Sequence, residues 1–191
     1  MSAQAAFRTK ILFDTNQLLQ RAKSEEEILS QTASQLMKLL NRSLIVYPEQ
    51  NGDLGSEQFF GVDGETAQNI FSAPEERDAA NWTFANKKRS GAGTDSYPDA
   101  KGLYLALRTG GGVFGVIGID LSEKPLDAFE NSVLLSILGE GALAIENRRN
   151  ALEKEQATVQ AKNEELRANL LRTISHDLDR KSTRLNSSHN A

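Results

Sequence analysis

Residues 103–120 read Leu103-Tyr-Leu-Ala-Leu-Arg-Thr-Gly-Gly-Gly-Val-Phe-Gly-Val-Ile-Gly-Ile-Asp120 and hold two β-rich runs, Leu103 to Arg108 and Val113 to Asp120. Gly110, Gly111 and Gly112 lie between them, and their backbone freedom suits a tight reversal, so the stretch predicts a hairpin. Behind it Asp127 and Glu130 stand at the spacing of a capping box and predict a long helix starting near Pro125. Adjacent strands followed by a helix point to an α+β fold, an antiparallel sheet flanked by helices.

The upstream chain supplies the remaining elements. Phe7, Ile11, Leu18 and Ala22, with Leu12 and Leu19 beside them, fall on one helical stripe. Ser24 and Glu27 form a capping box for a second helix, whose Ile28, Leu29, Thr32, Ala33, Leu36, Leu39 and Leu40 run to about Asn41. Ser43 to Tyr47 predicts a strand, Pro48 to Gly55 a turn, and Gln58 to Gly61 another strand. Ser72 and Glu75 predict a third cap, opening a helix to about Lys88 that carries Trp82 and Phe84. Those two are about 200° apart on a helix, so one is expected to face the core and the other a pocket or partner. Ser90 to Pro98 reads as a loop.

Composition narrows the chemistry. The 191 residues contain no cysteine, which excludes disulfides, thiolate catalysis and thioether-attached chromophores. Two histidines, His176 and His189, are too few and too isolated for a histidine metal site. A net charge of −4 gives no reason to expect nucleic acid as a partner. No run approaches the roughly 18 apolar residues of a membrane helix, and the first residues lack a signal-peptide pattern.

The last helix does not stop. From Phe129 to Leu178 there is no proline, and only Gly139 and Gly141 interrupt good helix formers. Ile145, Leu152, Val159 and Leu166 recur every seven residues, with Arg149, Gln156, Asn163 and Leu170 between them. That repeat predicts a parallel coiled coil with a weak, partly polar seam, and hence a homodimer. Near Leu171 the apolar row slips by one residue to Leu171, Ile174 and Leu178, a junction between two packing registers.

His176 lies two positions from both Ile174 and Leu178, so it is expected on the solvent face, open to a phosphate donor. Asp177 beside it would accept a proton from one ring nitrogen and leave the other nucleophilic. Taken alone, a single helical histidine reads as an ordinary surface residue.

The stretch from Asp179 to His189 resembles the in-frame translation of a common sequencing-library adapter, codon for codon. Residues 179–191 are therefore expected to be foreign and are set aside. Arg180, Lys181 and Arg184 against Asp179 give that tail +2, so the rest carries −4 − 2 = −6.

Leu170-Leu-Arg-Thr-Ile-Ser-His-Asp-Leu178 resembles the H-box of sensor histidine kinases, which normally continues with Arg-Thr-Pro. The resemblance implies that His176 is the phospho-acceptor and Asp177 its acid/base neighbour. It also implies an ATP-binding domain elsewhere and a response regulator that takes the phosphate. The position four after the histidine, used in phosphatase activity, is Arg180 of the tail, so that activity is not carried over.

Trp82-Thr-Phe84, Gly91-Ala-Gly-Thr-Asp-Ser-Tyr-Pro98, Leu103-Tyr-Leu-Ala-Leu107 and Gly115-Val-Ile-Gly118 resemble the GAF domain of KdpD-type potassium sensors, over about residues 7 to 178. This implies a GAF-like domain at 1–145, a signalling helix at 146–170 and the start of the phospho-acceptor helix at 171–178. Trp82, Phe84, Thr94, Asp95 and Tyr104 become the candidate ligand-binding residues. The family implies a cytoplasmic module, no cofactor in this chain, and a parent reaching the membrane only through an upstream part.

Gly91 to Asp95 looks like a phosphate-cradling loop, but no lysine follows and Pro98 blocks a helix, so a structural turn is the better expectation. Gly139 and Gly141 are expected to allow close packing on the sheet rather than to form a hinge. The residue pattern of cyclic-nucleotide GAF domains is not evident. Two other functions stand against the kinase reading. A free-standing ligand-binding adaptor would use the long helix only to dimerise. A reductase such as methionine-sulfoxide reductase would lack its usual cysteine.

Overall fold

The computed structural model describes residues 2–189. The chain divides into two units, Met1–Arg148 and Arg149–Ala191. The first contains α1 (Ala3–Arg21), α2 (Glu25–Leu40), β1 (Leu44–Gln50), β2 (Asp53–Leu54), β3 (Gln58–Phe60), α3 (Gly64–Phe71), α4 (Pro74–Asn86), β4 (Ser90–Gly91), β5 (Gly102–Thr109) and β6 (Gly112–Asp120). Helix α5 (Ala128–His189) begins in the first unit and makes up the second.

The six strands form one antiparallel sheet in the order β2-β1-β6-β5-β4, with β3 also paired to β1. Leu105 faces Ile117 across the hairpin, and Thr109 pairs with Gly112, so the chain reverses at Gly110 and Gly111 as expected. The alternation of the strands divides the core in two. Leu44, Val46, Leu103, Leu105, Leu107, Ile117 and Ile119 pack against α1, α2 and the start of α5. Ile45, Tyr47, Tyr104 and Val116 pack against Phe71, Ala79 and Ala80 of α3 and α4. Burial of each large aliphatic side chain stabilises by about 1.5–3 kcal/mol.

Local signals explain most boundaries. Ser24 Oγ accepts from Glu27 N–H, while Glu27 returns to the amide of Lys23, one residue earlier than a strict capping box. Asn41 ends α2 in the left-handed conformation at φ 50°. At α5 the capping box is reciprocal: Glu130 N–H donates to Asp127 Oδ1 at 2.7 Å and Asp127 N–H to Glu130 Oε1 at 3.2 Å.

Other expectations are corrected. Ser72 does not cap α4; it closes α3, a helix missing from the sequence reading, and Ala73 precedes α4 with Pro74 as the first helical residue. Helix α4 ends at Asn86, because Lys87 turns left-handed at φ 59°. The 48–55 turn is a hairpin in which β1 continues to Gln50 and pairs with β2.

Gly141 packs closely, but against Thr32 of α2 rather than the sheet, while Gly139 faces open space. Helix α1 lies alongside the start of α5: Phe7 stacks on Phe129, Arg8 donates to Ser132 and Asn16 to Glu140. By length and composition α5 contains a stretch apolar enough to cross a membrane, but Val133, Leu134, Ile137, Leu138, Ala142 and Ile145 of that stretch are core residues.

Candidate functional site

The face of the sheet beneath α4 gathers the polar groups. Helix α4 presents Glu76, Ala79, Ala80 and Thr83 along one buried row. Glu76 is 1% exposed and accepts from the amides of Lys101, at 2.5 Å, and Gly102, at 3.3 Å. It also accepts from the Tyr104 hydroxyl at 2.5 Å. One carboxylate thus anchors the start of β5 and an aromatic side chain buried in the core. Gly118 gives the Tyr104 ring its room, since a Cβ there would collide with it.

Beside this pair, the Thr83 and Ser90 hydroxyls share a hydrogen bond of 2.7 Å, and Ser90 donates to the Ala79 carbonyl. At the other end Arg77 stacks over the Tyr47 ring at 5.0 Å and bonds Glu57 and the Leu54 carbonyl. Burial pushes the Tyr104 hydroxyl well above the usual tyrosine range, and its bond to Glu76 adds to the shift. Tyr47 moves the same way, from burial first and the Glu57 charge second, with Arg77 opposing.

Of the predicted ligand residues, Tyr104 and Phe84 meet at this face, Tyr104 fully buried and Phe84 partly. Thr83, between Trp82 and Phe84, is the one that turns inward; Trp82 is half-buried. Thr94 is spent inside its own loop, its hydroxyl directed at the carbonyls of Gly91 and Ser96, each at 2.8 Å. Gly91 and Gly93 adopt φ of 93° and 77°, and a Cβ on Gly91 would strike the Gly102 carbonyl. The loop is the structural turn the sequence suggests, and Asp95 on it is exposed.

Glu76, Thr83, Ser90 and Tyr47 were not among the predicted site residues. The available signal was an acidic residue at position 76 in line with Ala79, Ala80 and Thr83 at helical spacing.

A second cluster holds the entry to α5. Arg42, buried, forks onto Glu130 at 3.2 Å and onto the carbonyls of Asp120, Lys124 and Pro125. A polar cleft of about 410 Å³ lies beside it, with Asp63, Asp120 and Lys124 on its walls.

In the second unit the helix is unbroken and its side chains from Asn150 to Asn186 are exposed. Leu152 is 44% exposed, Val159 54% and Leu166 58%, so the predicted seam is uncovered in the single chain. Ile145 is not part of that surface; at 1% exposure it belongs to the core of the first unit. His176 and Asp177 are both exposed. Among the described residues no group of three or more His, Cys, Asp or Glu is placed to hold a metal ion.

Comparison with known proteins adds to this geometry. No protein-family model matches the chain. It is 33% identical over 172 residues to the sensor protein KdpD of Clostridium acetobutylicum, covering 90% of this chain and 19% of that protein. It is 26% identical over 174 residues to the sensor protein KdpD of Escherichia coli K12, covering 90% of this chain and 18% of that protein. The chain thus spans about a fifth of the length of these relatives. Among solved structures, the GAF domain of the E. coli potassium sensor histidine kinase KdpD matches with a TM-score of 0.53 at 19% identity, over 79% of this chain and 99% of that domain. The fold, the two-sided sheet and the sequence similarity over nine-tenths of the chain agree: this is a KdpD-type GAF-domain protein.

Proposed function

We propose that the chain is the signal-transmitting part of a two-component sensor histidine kinase of the potassium or osmotic response, with His176 as phospho-acceptor and Asp177 as its acid/base neighbour. The observation that carries the reading is one unbroken helix holding both core residues of the GAF domain and the H-box residues Leu170 to Leu178. The exposed row Leu152, Val159, Leu166 offers a second copy of the chain a seam.

The chemistry divides between partners. Histidine at the helix surface is the nucleophile, a neighbouring carboxylate takes the proton, and ATP is held by a separate domain of the parent. A response regulator then accepts the phosphate. The module sits in the cytoplasm, and the parent reaches the membrane through another segment. Residues 179–191 are adapter-derived; α5 runs on through 179–189 because extending an existing helix needs no new nucleus.

The space beneath α4 is filled by Tyr47, Tyr104, Glu76 and Phe71, which favours a mechanical relay over a receptor for a small molecule. Sequencing the source locus across the codons of Leu178 and Asp179 tests the reading. Continuation into Arg-Thr-Pro and an ATP-binding domain is expected; a stop codon or an unrelated domain would leave the free-standing adaptor instead.

A further inference from the structure

Thr109, the last residue of β5, directs its hydroxyl to Glu146 Oε2, and the Gly111 amide donates to Thr109 Oγ1 at 3.0 Å. A Cβ on Gly111 would meet the free end of the Glu146 side chain, so the hairpin tip and that carboxylate are neighbours. Glu146 follows Ile145, the last fully buried residue of α5, and stands two residues before the end of the first unit. The same strand carries Tyr104 beneath α4, bonded to Glu76, and Leu103, Leu105 and Leu107 against the helices. One strand therefore touches the polar face at one end and the last docked turn of α5 at the other.

We infer that Thr109 and Glu146 form a latch through which β5 fixes the last docked turn of α5. The purpose given to the latch rests on the relay reading above; its existence does not. A hydrogen bond to a charged acceptor is strong enough to govern local opening at the point along α5 where apolar packing runs out.

Hydrogen exchange of the intact chain reads the latch directly. Amides 146–150 bond to the carbonyls one turn earlier, so their exchange reports opening of that turn. Thr109→Val and Glu146→Ala are each expected to speed their exchange about tenfold, while Thr109→Ser changes it less than about twofold. Thr109→Val combined with Glu146→Ala adds less than about twofold to either alone.

Unchanged exchange in the single variants overturns the latch. So does an additive double variant, or an equal rise across 103–107 and 114–119, which is general destabilisation. The measurement needs no phosphate transfer. A silent His176 therefore removes the kinase reading and leaves the latch, whereas unchanged exchange removes the latch alone.

Discussion

Tyr104 donates its hydroxyl hydrogen to Glu76 Oε2 over 2.5 Å, and neither side chain reaches solvent. A buried carboxylate is costly unless it is hydrogen-bonded, and two amides plus this phenol supply the bonds. The pair occupies the space between sheet and α4, so the domain's polar centre is engaged with itself.

Removing one member should cost less than removing the hub. Tyr104→Phe leaves Glu76 its two amide donors and is expected to lower stability by about 1–2 kcal/mol. Glu76→Ala strands three donors and should lower it by about 3 kcal/mol or more. Urea unfolding of both variants checks this, and equal losses would contradict a network centred on Glu76.

The raised tyrosines give the domain an alkaline limit. An unfolded tyrosine ionises near pH 10, whereas folded Tyr47 and Tyr104 hold their protons beyond it. The native state therefore binds more protons than the unfolded state above about pH 10, and stability falls as pH rises from there. Each tyrosine contributes a slope of up to about 1.4 kcal/mol per pH unit. Melting temperatures recorded from pH 8 to 11 should be flat at first and then drop, less steeply in Tyr104→Phe.

Arg42 should not tolerate lysine. Its guanidinium serves Glu130 and three carbonyls at once, a fork that a single ammonium cannot reproduce. Arg42→Lys and Arg42→Ala are both expected to lose about 3 kcal/mol, with Glu130 left short of its partner. A glutamate-specific protease should then cut faster at Glu123, in the loop that Arg42 holds.

The seam predicts a weak dimer. Leu152, Val159 and Leu166 each offer about 1.5–3 kcal/mol if fully buried, and ordering two chains removes much of it. With Ile145 committed to the core, the seam starts one heptad later than the sequence suggests. Sedimentation at tens of micromolar, roughly the range for such an interface, should show dimer, and Leu152→Asp should shift it to monomer without unfolding the domain. A monomeric wild-type chain contradicts the parallel coil.

The elements with local signals were legible. The Gly110–Gly112 hairpin, the Asp127–Glu130 cap and the Asn41 terminus each depend on residues within one turn of the boundary. Helix α3 was not, since its Asp63 cap lies in a stretch without a long apolar stripe. Ser72 misled because a capping box and a helix end use the same residue types. At the site, Tyr104 was found by resemblance, while Glu76 was overlooked because an acidic residue on a helix ordinarily reads as surface. Its burial depends on amides 25 and 26 residues away, which no local pattern reports.

The kinase reading stands on phosphate transfer to His176. An extended chain carrying the native helix beyond Leu178 would be incubated with ATP and the ATP-binding domain of a KdpD-type kinase, and the acid-labile label mapped. Label is expected on His176, lost in His176→Gln, and absent from the isolated chain with ATP alone. Label that survives His176→Gln, or an unlabelled wild-type chain beside an active ATP-binding domain, would overturn the assignment of His176.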